Sequence, residues 1–173
     1  MFDEILGLPV HPLVVHAAVV FIPLLSLVAV AYAVLPRQRG RLGWALVLLA
    51  VAAPIFAIVS RLSGETLVQN LFGGEYPEGV LGERVAEHAD FAMPLVWATI
   101  ALGVVSLLLV YAARRSGSAP EAGAGSARRA AAGAAGNTTV TMVLSVVTIV
   151  FALVALYFVA RTGHSGAMAV WGR

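Results

Sequence analysis

The 173-residue chain contains no cysteine and no lysine, and only 12% of its residues are charged. The absence of cysteine excludes disulfides, thiolate metal sites, iron–sulfur clusters and covalently attached c-type haem. Soluble domains carry roughly twice this share of charged residues, whereas 60% of this chain is apolar. These two values exclude a water-soluble enzyme, a disordered chain and a small secreted scaffold held together by disulfides.

Charge is absent from whole stretches of the chain, namely 5–36, 42–60, 91–113 and 130–160. A helix needs about 20 predominantly apolar residues to cross a bilayer, and each stretch is about that long or longer. We therefore predict one all-α membrane domain over residues 1–173, a four-transmembrane-helix antiparallel bundle in the lipid bilayer. The predicted spans are about 12–35, 42–60, 91–113 and 138–160.

The basic residues are all arginines, and their distribution predicts the orientation. The first and third connections between spans carry most of them: Arg37, Arg39, Arg41, Arg114, Arg115, Arg128 and Arg129. The positive-inside rule then places these two connections in the cytoplasm and both termini outside, in a plasma (inner) membrane. Residues 116–136 are rich in Ala, Gly and Ser, which predicts a flexible cytoplasmic linker. No basic stripe alternates with aromatic residues, so we expect no nucleic-acid partner.

The second connection, on the outer side, predicts a short helical loop. Ser63 is a candidate cap for a short helix that ends near Phe72, and the glycine-rich segment 73–79 predicts turns. From Val80 the apolar residues recur at helical spacing, and His88 lies on their face. His88 is thus predicted on the inward side, one turn before the third span.

Four histidines gather on the outer side in this topology: His11, His16, His88 and His164. Histidine is the commonest metal ligand in proteins, and it binds haem iron. An unpartnered imidazole below the membrane surface would be costly, which favours a shared site over four separate ones. We therefore predict that His16, His88, His11 and His164 form a cofactor-binding cluster. The alternative without a cofactor is that each histidine lies at the membrane interface and bonds a backbone or carboxylate partner of its own.

Haem b is the first cofactor that this cluster predicts. The first and third helices of an up-down bundle are diagonal neighbours, so His16 and His88 can face each other across a planar ring. Phe91 and Trp97, just below His88, would flank it.

The alternative is a Zn, Cu or Fe ion that is held by three or four of the histidines. His11 precedes Pro12, which favours an extended backbone at His11. The direction of His11 is then independent of the helix face of His16, and both rings could point inward.

The histidine motifs resemble those of a bacterial membrane-protein family, domain of unknown function 2231. The residues that carry this resemblance are His11-Pro12-Leu13-Val14-Val15-His16, Ser63-Gly64-Glu65, His88 and Gly163-His164-Ser165-Gly166-Ala167. Members commonly have Phe-Pro directly after the second histidine, whereas this chain has Ala17-Ala18 and places the proline at Pro23. The family has no assigned activity. Some relatives are joined to, or encoded near, Rieske-type or cytochrome c-type domains, so the resemblance implies a redox context.

Three functions remain open at this point. The first is a small electron-transfer subunit that exchanges electrons with a redox protein or a quinone. The second is a non-enzymatic membrane scaffold or accessory subunit without a cofactor. The third is a transporter or channel component that forms a homo-oligomer, because four spans are few for a pathway of their own. The chain has no Gly-rich phosphate loop, His-Glu-x-x-His motif or nucleophile elbow, so no reaction is predicted.

Overall fold

The structure, a computed structural model, describes residues 4–5, 8–117 and 127–172, with side chains at 10–115 and 138–172. Two short strands, β1 (Glu4–Ile5) and β2 (Leu8–Pro9), pair in antiparallel register, Glu4 with Pro9 and Ile5 with Leu8. Four long helices follow, with a single 3₁₀ turn, Pro36–Gln38, between the first two. They are α1 (Val10–Val34), α2 (Arg39–Phe72), α3 (Val80–Gly117) and α4 (Ala127–Trp171).

The helices form an antiparallel bundle in which each one packs on two neighbours. Helix α1 contacts α2 and α4, and α3 contacts the same two, so α1 and α3 lie on one diagonal. All four are long and apolar enough to cross a membrane. The predicted all-α four-helix bundle is therefore confirmed.

Small residues let the helices approach closely in the core. Ala53, Ala152 and Ala155 are almost completely buried, as membrane helix interfaces favour. At the α2–α3 crossing, a Cβ on Gly103 would lie 2.6 Å from the Ala50 carbonyl oxygen, so only glycine allows this contact. The outer surface carries large apolar side chains, and Trp44 and Met142 are each about 70% exposed within the chain. Lipid is the environment that such a surface requires.

The helices extend beyond the predicted spans. Helix α2 continues through Ser63 to Phe72 without a break, so Ser63 is not a cap and the predicted short loop helix is the end of α2 itself. Helix α2 ends at Gly73, whose φ of 68° is left-handed and whose N–H bonds the Gln69 and Val68 carbonyls. Within the predicted linker, 118–126 lie outside the described residues, and α4 already begins at Ala127.

His11 lies in the first turn of α1, where the sequence predicted extended backbone. Pro12 is the third residue of this helix, a position whose N–H would have no helical partner in any case. Proline therefore costs no hydrogen bond there, and the helix includes the residue before it. This placement fixes the face on which the His11 ring lies.

Candidate functional site

The candidate site lies at one end of the bundle, which we call the histidine end. It comprises the start of α1, residues 60–65 of α2, the stretch of α3 around His88, and residues 162–167 of α4. The His11 and His88 rings meet there across the α1–α3 diagonal. Their centroids are 6.3 Å apart and their planes are inclined by 76°. Two of the four predicted histidines are thus brought together.

His11 is held by α2, which forms a helical hairpin with its own helix α1. Its Nδ1 lies 3.0 Å from the Ser60 carbonyl oxygen and 3.1 Å from the Ser63 hydroxyl oxygen. The Ser63 hydroxyl in turn donates to the same Ser60 carbonyl at 2.9 Å. The imidazole, the carbonyl and the hydroxyl are thus hydrogen-bonded to one another, and the Ser63 hydroxyl contacts both other groups.

His88 is held by the same arrangement on α4. Its Nδ1 lies 3.0 Å from the Thr162 carbonyl oxygen and 3.3 Å from the Ser165 hydroxyl oxygen. The Ser165 hydroxyl donates to the Thr162 carbonyl at 3.1 Å. Each histidine therefore has a backbone carbonyl and a serine, three residues apart, as its partners.

These contacts determine where the ring hydrogen lies. A carbonyl oxygen only accepts hydrogen bonds, so Nδ1 carries the hydrogen in both His11 and His88. In a neutral ring, Nε2 then keeps its lone pair. Within residues 10–115 and 138–172, no hydrogen bond reaches either Nε2 atom. Both nitrogens are thus available as acceptors or metal ligands.

A glycine backbone lies against each of the two rings. A Cβ on Gly64 would lie 3.0 Å from His11 Cε1, and one on Gly166 would lie 2.9 Å from His88 Cε1. Both distances are too short for a normal carbon–carbon contact, so any larger residue would displace the ring. The glycines follow Ser63 and Ser165 directly, which gives a Ser-Gly pair on each side of the site.

His16 and His164 lie outside this pair, and both are exposed. His16 is five residues after His11, a rotation of about 140° around the helix, so it faces outward when His11 faces inward. Its Nδ1 bonds the Pro12 carbonyl of its own helix. The structure thus pairs His88 with His11, where the sequence paired it with His16.

The aromatic residues expected beside the cofactor are placed differently. Trp97 is 62% exposed and faces away from the bundle. Phe91 lies under the Arg161 guanidinium, 4.8 Å from ring centroid to Cζ, and Arg161 also pairs with Glu87 at 3.7 Å. Neither aromatic residue packs on the histidine pair in the contacts that the structure gives. In the described part of the chain, no three His, Asp or Glu side chains converge as a metal site.

Sequence reasoning did not predict the residues that hold the rings. Ser60 and Thr162 act through backbone carbonyls, which no side-chain pattern reveals. The available signal was the Ser-Gly pair in 63–64 and again in 165–166, one near the end of each second helix. In the sequence, this pair stands out only as part of the family resemblance.

Comparisons with known proteins identify the family of this chain. No curated protein and no solved structure matches it. One family model, domain of unknown function 2231, described as a predicted membrane protein, matches residues 7–173. This match covers both hairpins and every residue of the histidine end. The chain therefore belongs to the family of membrane proteins known as domain of unknown function 2231.

Proposed function

We propose that this membrane protein binds a transition metal at its histidine end, through Nε2 of His11 and His88, and uses it for electron transfer. One observation carries the proposal. Both rings donate Nδ1–H to a backbone carbonyl and a serine, and neither Nε2 lone pair has a hydrogen-bond partner among the residues that the structure describes.

The hydrogen bonds at Nδ1 are those that metal-binding histidines need. A ligating imidazole almost always donates its other N–H to a carbonyl or carboxylate, which fixes the tautomer and the ring direction. Neutral imidazole suits Zn, Cu, Fe and Ni, and none of these requires a charged ligand from the protein. His11 and His88 thus supply two oriented nitrogen donors, and neither side chain has to be charged to do so.

The separation of the rings also suits one metal centre. Metal–imidazole bonds are about 2.0–2.1 Å long and a ring centre lies about 1.1 Å from each nitrogen, so two imidazoles on opposite sides of one metal have centres about 6.3 Å apart. The His11 and His88 centroids are 6.3 Å apart. The separation of the two rings is therefore of the size that one shared metal requires.

Two forms of this centre follow from the same chemistry, a single ion and the iron of haem b. The packing favours a single ion, because the backbones of Gly64 and Gly166 occupy space beside the two rings. A porphyrin would need a flat slot there. Copper or iron would support electron exchange with a redox protein or a quinone, in keeping with the redox context that the resemblance implies.

We further propose that the histidine end faces away from the cytoplasm. The opposite end of the bundle carries Arg37, Arg39, Arg41, Arg114 and Arg115, and the positive-inside rule places such residues in the cytoplasm. Because the chain has no cysteine, single-cysteine variants test this directly. In intact cells an impermeant maleimide should label Glu75→Cys, whereas Gln38→Cys should react only after lysis. The reverse pattern would overturn the orientation.

Metal analysis and an absorption spectrum test the proposed site. We expect the detergent-purified protein to bind about one Cu or Fe per chain, with Soret and α/β bands after reduction if haem b is present. His11→Ala and His88→Ala should each remove the metal. His16→Ala and His164→Ala are matched controls and should retain it. A metal content unaffected by the first two variants would refute the site, and a wild-type protein that binds no metal would favour a cofactor-free scaffold.

A further inference from the structure

The first helices of the two hairpins bury matching positions. One constant shift along the chain carries His11 onto His88, and the same shift carries the buried positions of α1 from Ala18 onward onto buried positions of α3. The matched pairs are Ala18 and Leu95, Ile22 and Thr99, Leu25 and Leu102, Ala29 and Ser106, Tyr32 and Leu109, and Ala33 and Val110, all of them buried. The inward faces of α1 and α3 are therefore in the same register relative to their histidines.

The second helices match in the same way. A second constant shift carries Ser63 onto Ser165 and aligns the buried faces of α2 and α4. The matched pairs are Leu46 and Thr148, Ala50 and Ala152, Ala53 and Ala155, and Ala57 and Val159, again all buried. This shift also carries Ser60 onto Thr162 and Gly64 onto Gly166, so packing and site residues follow one alignment.

The contacts between helices have the same symmetry. Helix α1 packs on α2 and on α4, while α3 packs on α4 and on α2. Exchanging the hairpins α1–α2 and α3–α4 leaves this pattern unchanged, as a twofold axis along the bundle requires. The His11 and His88 rings meet between the two hairpins, with their centroids 6.3 Å apart and their planes inclined by 76°.

We infer that the chain is two equivalent helical hairpins, each with a complete half-site, and that Ser63 and Ser165 are matched positioning residues that hold the two imidazoles for one shared ligand. Each half-site consists of an imidazole, a carbonyl that accepts its Nδ1–H, a serine bonded to both, and a glycine under the ring. The identity of the ligand rests on the proposed function. This symmetry favours a ligand with a single centre that binds the imidazole nitrogens of His11 and His88 equally.

The serines act through the rings rather than on the ligand. Ser63 donates to the Ser60 carbonyl, so its lone pairs face the Nδ1–H of His11. Removing the hydroxyl leaves the ring with one acceptor and more freedom to turn. Loss of such a supporting partner typically weakens metal binding by about 10–100-fold. Because Ser165 supports His88 in the same way, its removal should have an effect of similar size.

Nitrogen-15 NMR of histidine-labelled, metal-free protein tests the half-sites without the metal. We expect His11 and His88 to show the Nδ1–H tautomer in the wild-type chain. Ser63→Ala should shift the His11 nitrogens only, and Ser165→Ala those of His88 only. Ser145→Ala is the matched control, because its hydroxyl bonds a carbonyl of α4 away from the site and should move neither ring. Ser63→Thr should restore the His11 signals.

Metal titration of the same variants gives the second readout. Ser63→Ala and Ser165→Ala should weaken binding by similar factors of about 10 or more, and Ser145→Ala should leave it unchanged. Should no metal bind while the NMR pattern is as expected, the proposed function fails and the two half-sites stand. An Nε2–H tautomer at either ring, or serine variants with clearly unequal effects, would overturn the half-sites.

Discussion

Replacing Gly166 with alanine should destabilise the protein, although alanine is the better helix former. The new Cβ would lie 2.9 Å from Cε1 and 3.1 Å from Nδ1 of His88, so the ring must shift, which disturbs its hydrogen bond to the Thr162 carbonyl. Overpacking costs about 1–3 kcal/mol in a close contact. The helix preference of alanine offsets about 1 kcal/mol of this. We expect the free energy of unfolding to fall by roughly 0–2 kcal/mol.

Gly163 supplies the control on the same helix, three residues earlier. A Cβ there meets nothing within 4 Å, so Gly163→Ala keeps the helix gain without the clash. Gly163→Ala should raise the free energy of unfolding by about 0.5–1 kcal/mol. The two alanine variants should therefore differ by about 1–3 kcal/mol, although both make the same chemical change in the same helix.

Thermal unfolding in one detergent, followed by far-UV circular dichroism, measures this difference. In a chain of this length, 1 kcal/mol corresponds to roughly 2–4 °C in Tm, so the two midpoints should differ by at least about 2 °C. Gly64→Ala, with Gly40→Ala as its control, repeats the comparison at His11. If Gly166→Ala unfolds at the same temperature as Gly163→Ala, His88 does not lie against this glycine and the site geometry is refuted.

Four further predictions concern the bundle. Thr148→Val should raise the free energy of unfolding by about 1 kcal/mol, because the buried hydroxyl of Thr148 has no partner in the described part of the chain. In the same denaturation assay, Thr99→Val should lower it by about 0.5–1 kcal/mol through loss of a bond to a carbonyl. Arg84→Gln should speed hydrogen exchange at the end of α4, where the guanidinium bonds two carbonyls, and unchanged exchange there would argue against this cap. Ala53→Leu and Ala155→Leu, at equivalent fully buried positions, should each lower the free energy of unfolding by about 1–3 kcal/mol, and clearly different losses would contradict the repeat.

The fold could be predicted from the sequence because its strongest determinant is one-dimensional. A run of about 20 residues without charge has few structures open to it in lipid, and the helix is the simplest. Four such runs with short connections then give an antiparallel bundle. The helix ends were harder to predict. Between 60 and 72, charged and polar residues end the apolar run, yet α2 continues there because helical hydrogen bonds do not depend on side-chain polarity.

The site was predicted only in part, for a geometric reason. The sequence places four histidines near one end of the bundle, but the direction of each ring depends on helix phase. His11 and His16 cannot both face inward once Pro12 is part of α1. From the sequence, His16 was paired with His88 because the first and third helices are diagonal neighbours, and an extended His11 would have left both rings free to point inward. The carbonyls of Ser60 and Thr162 leave no trace in the residue types, so the partners of the rings were not found.

The use of main-chain oxygens as acceptors has a consequence for how related sequences can diverge. Every amino acid supplies a carbonyl, so Ser60 and Thr162 can be exchanged for other helix-compatible residues while the acceptors stay in place. Ser63 and Ser165 have no such freedom, since only a small hydroxyl both donates to that oxygen and accepts from the imidazole. Homologues should therefore vary at positions 60 and 162, and they should keep serine or threonine at positions 63 and 165.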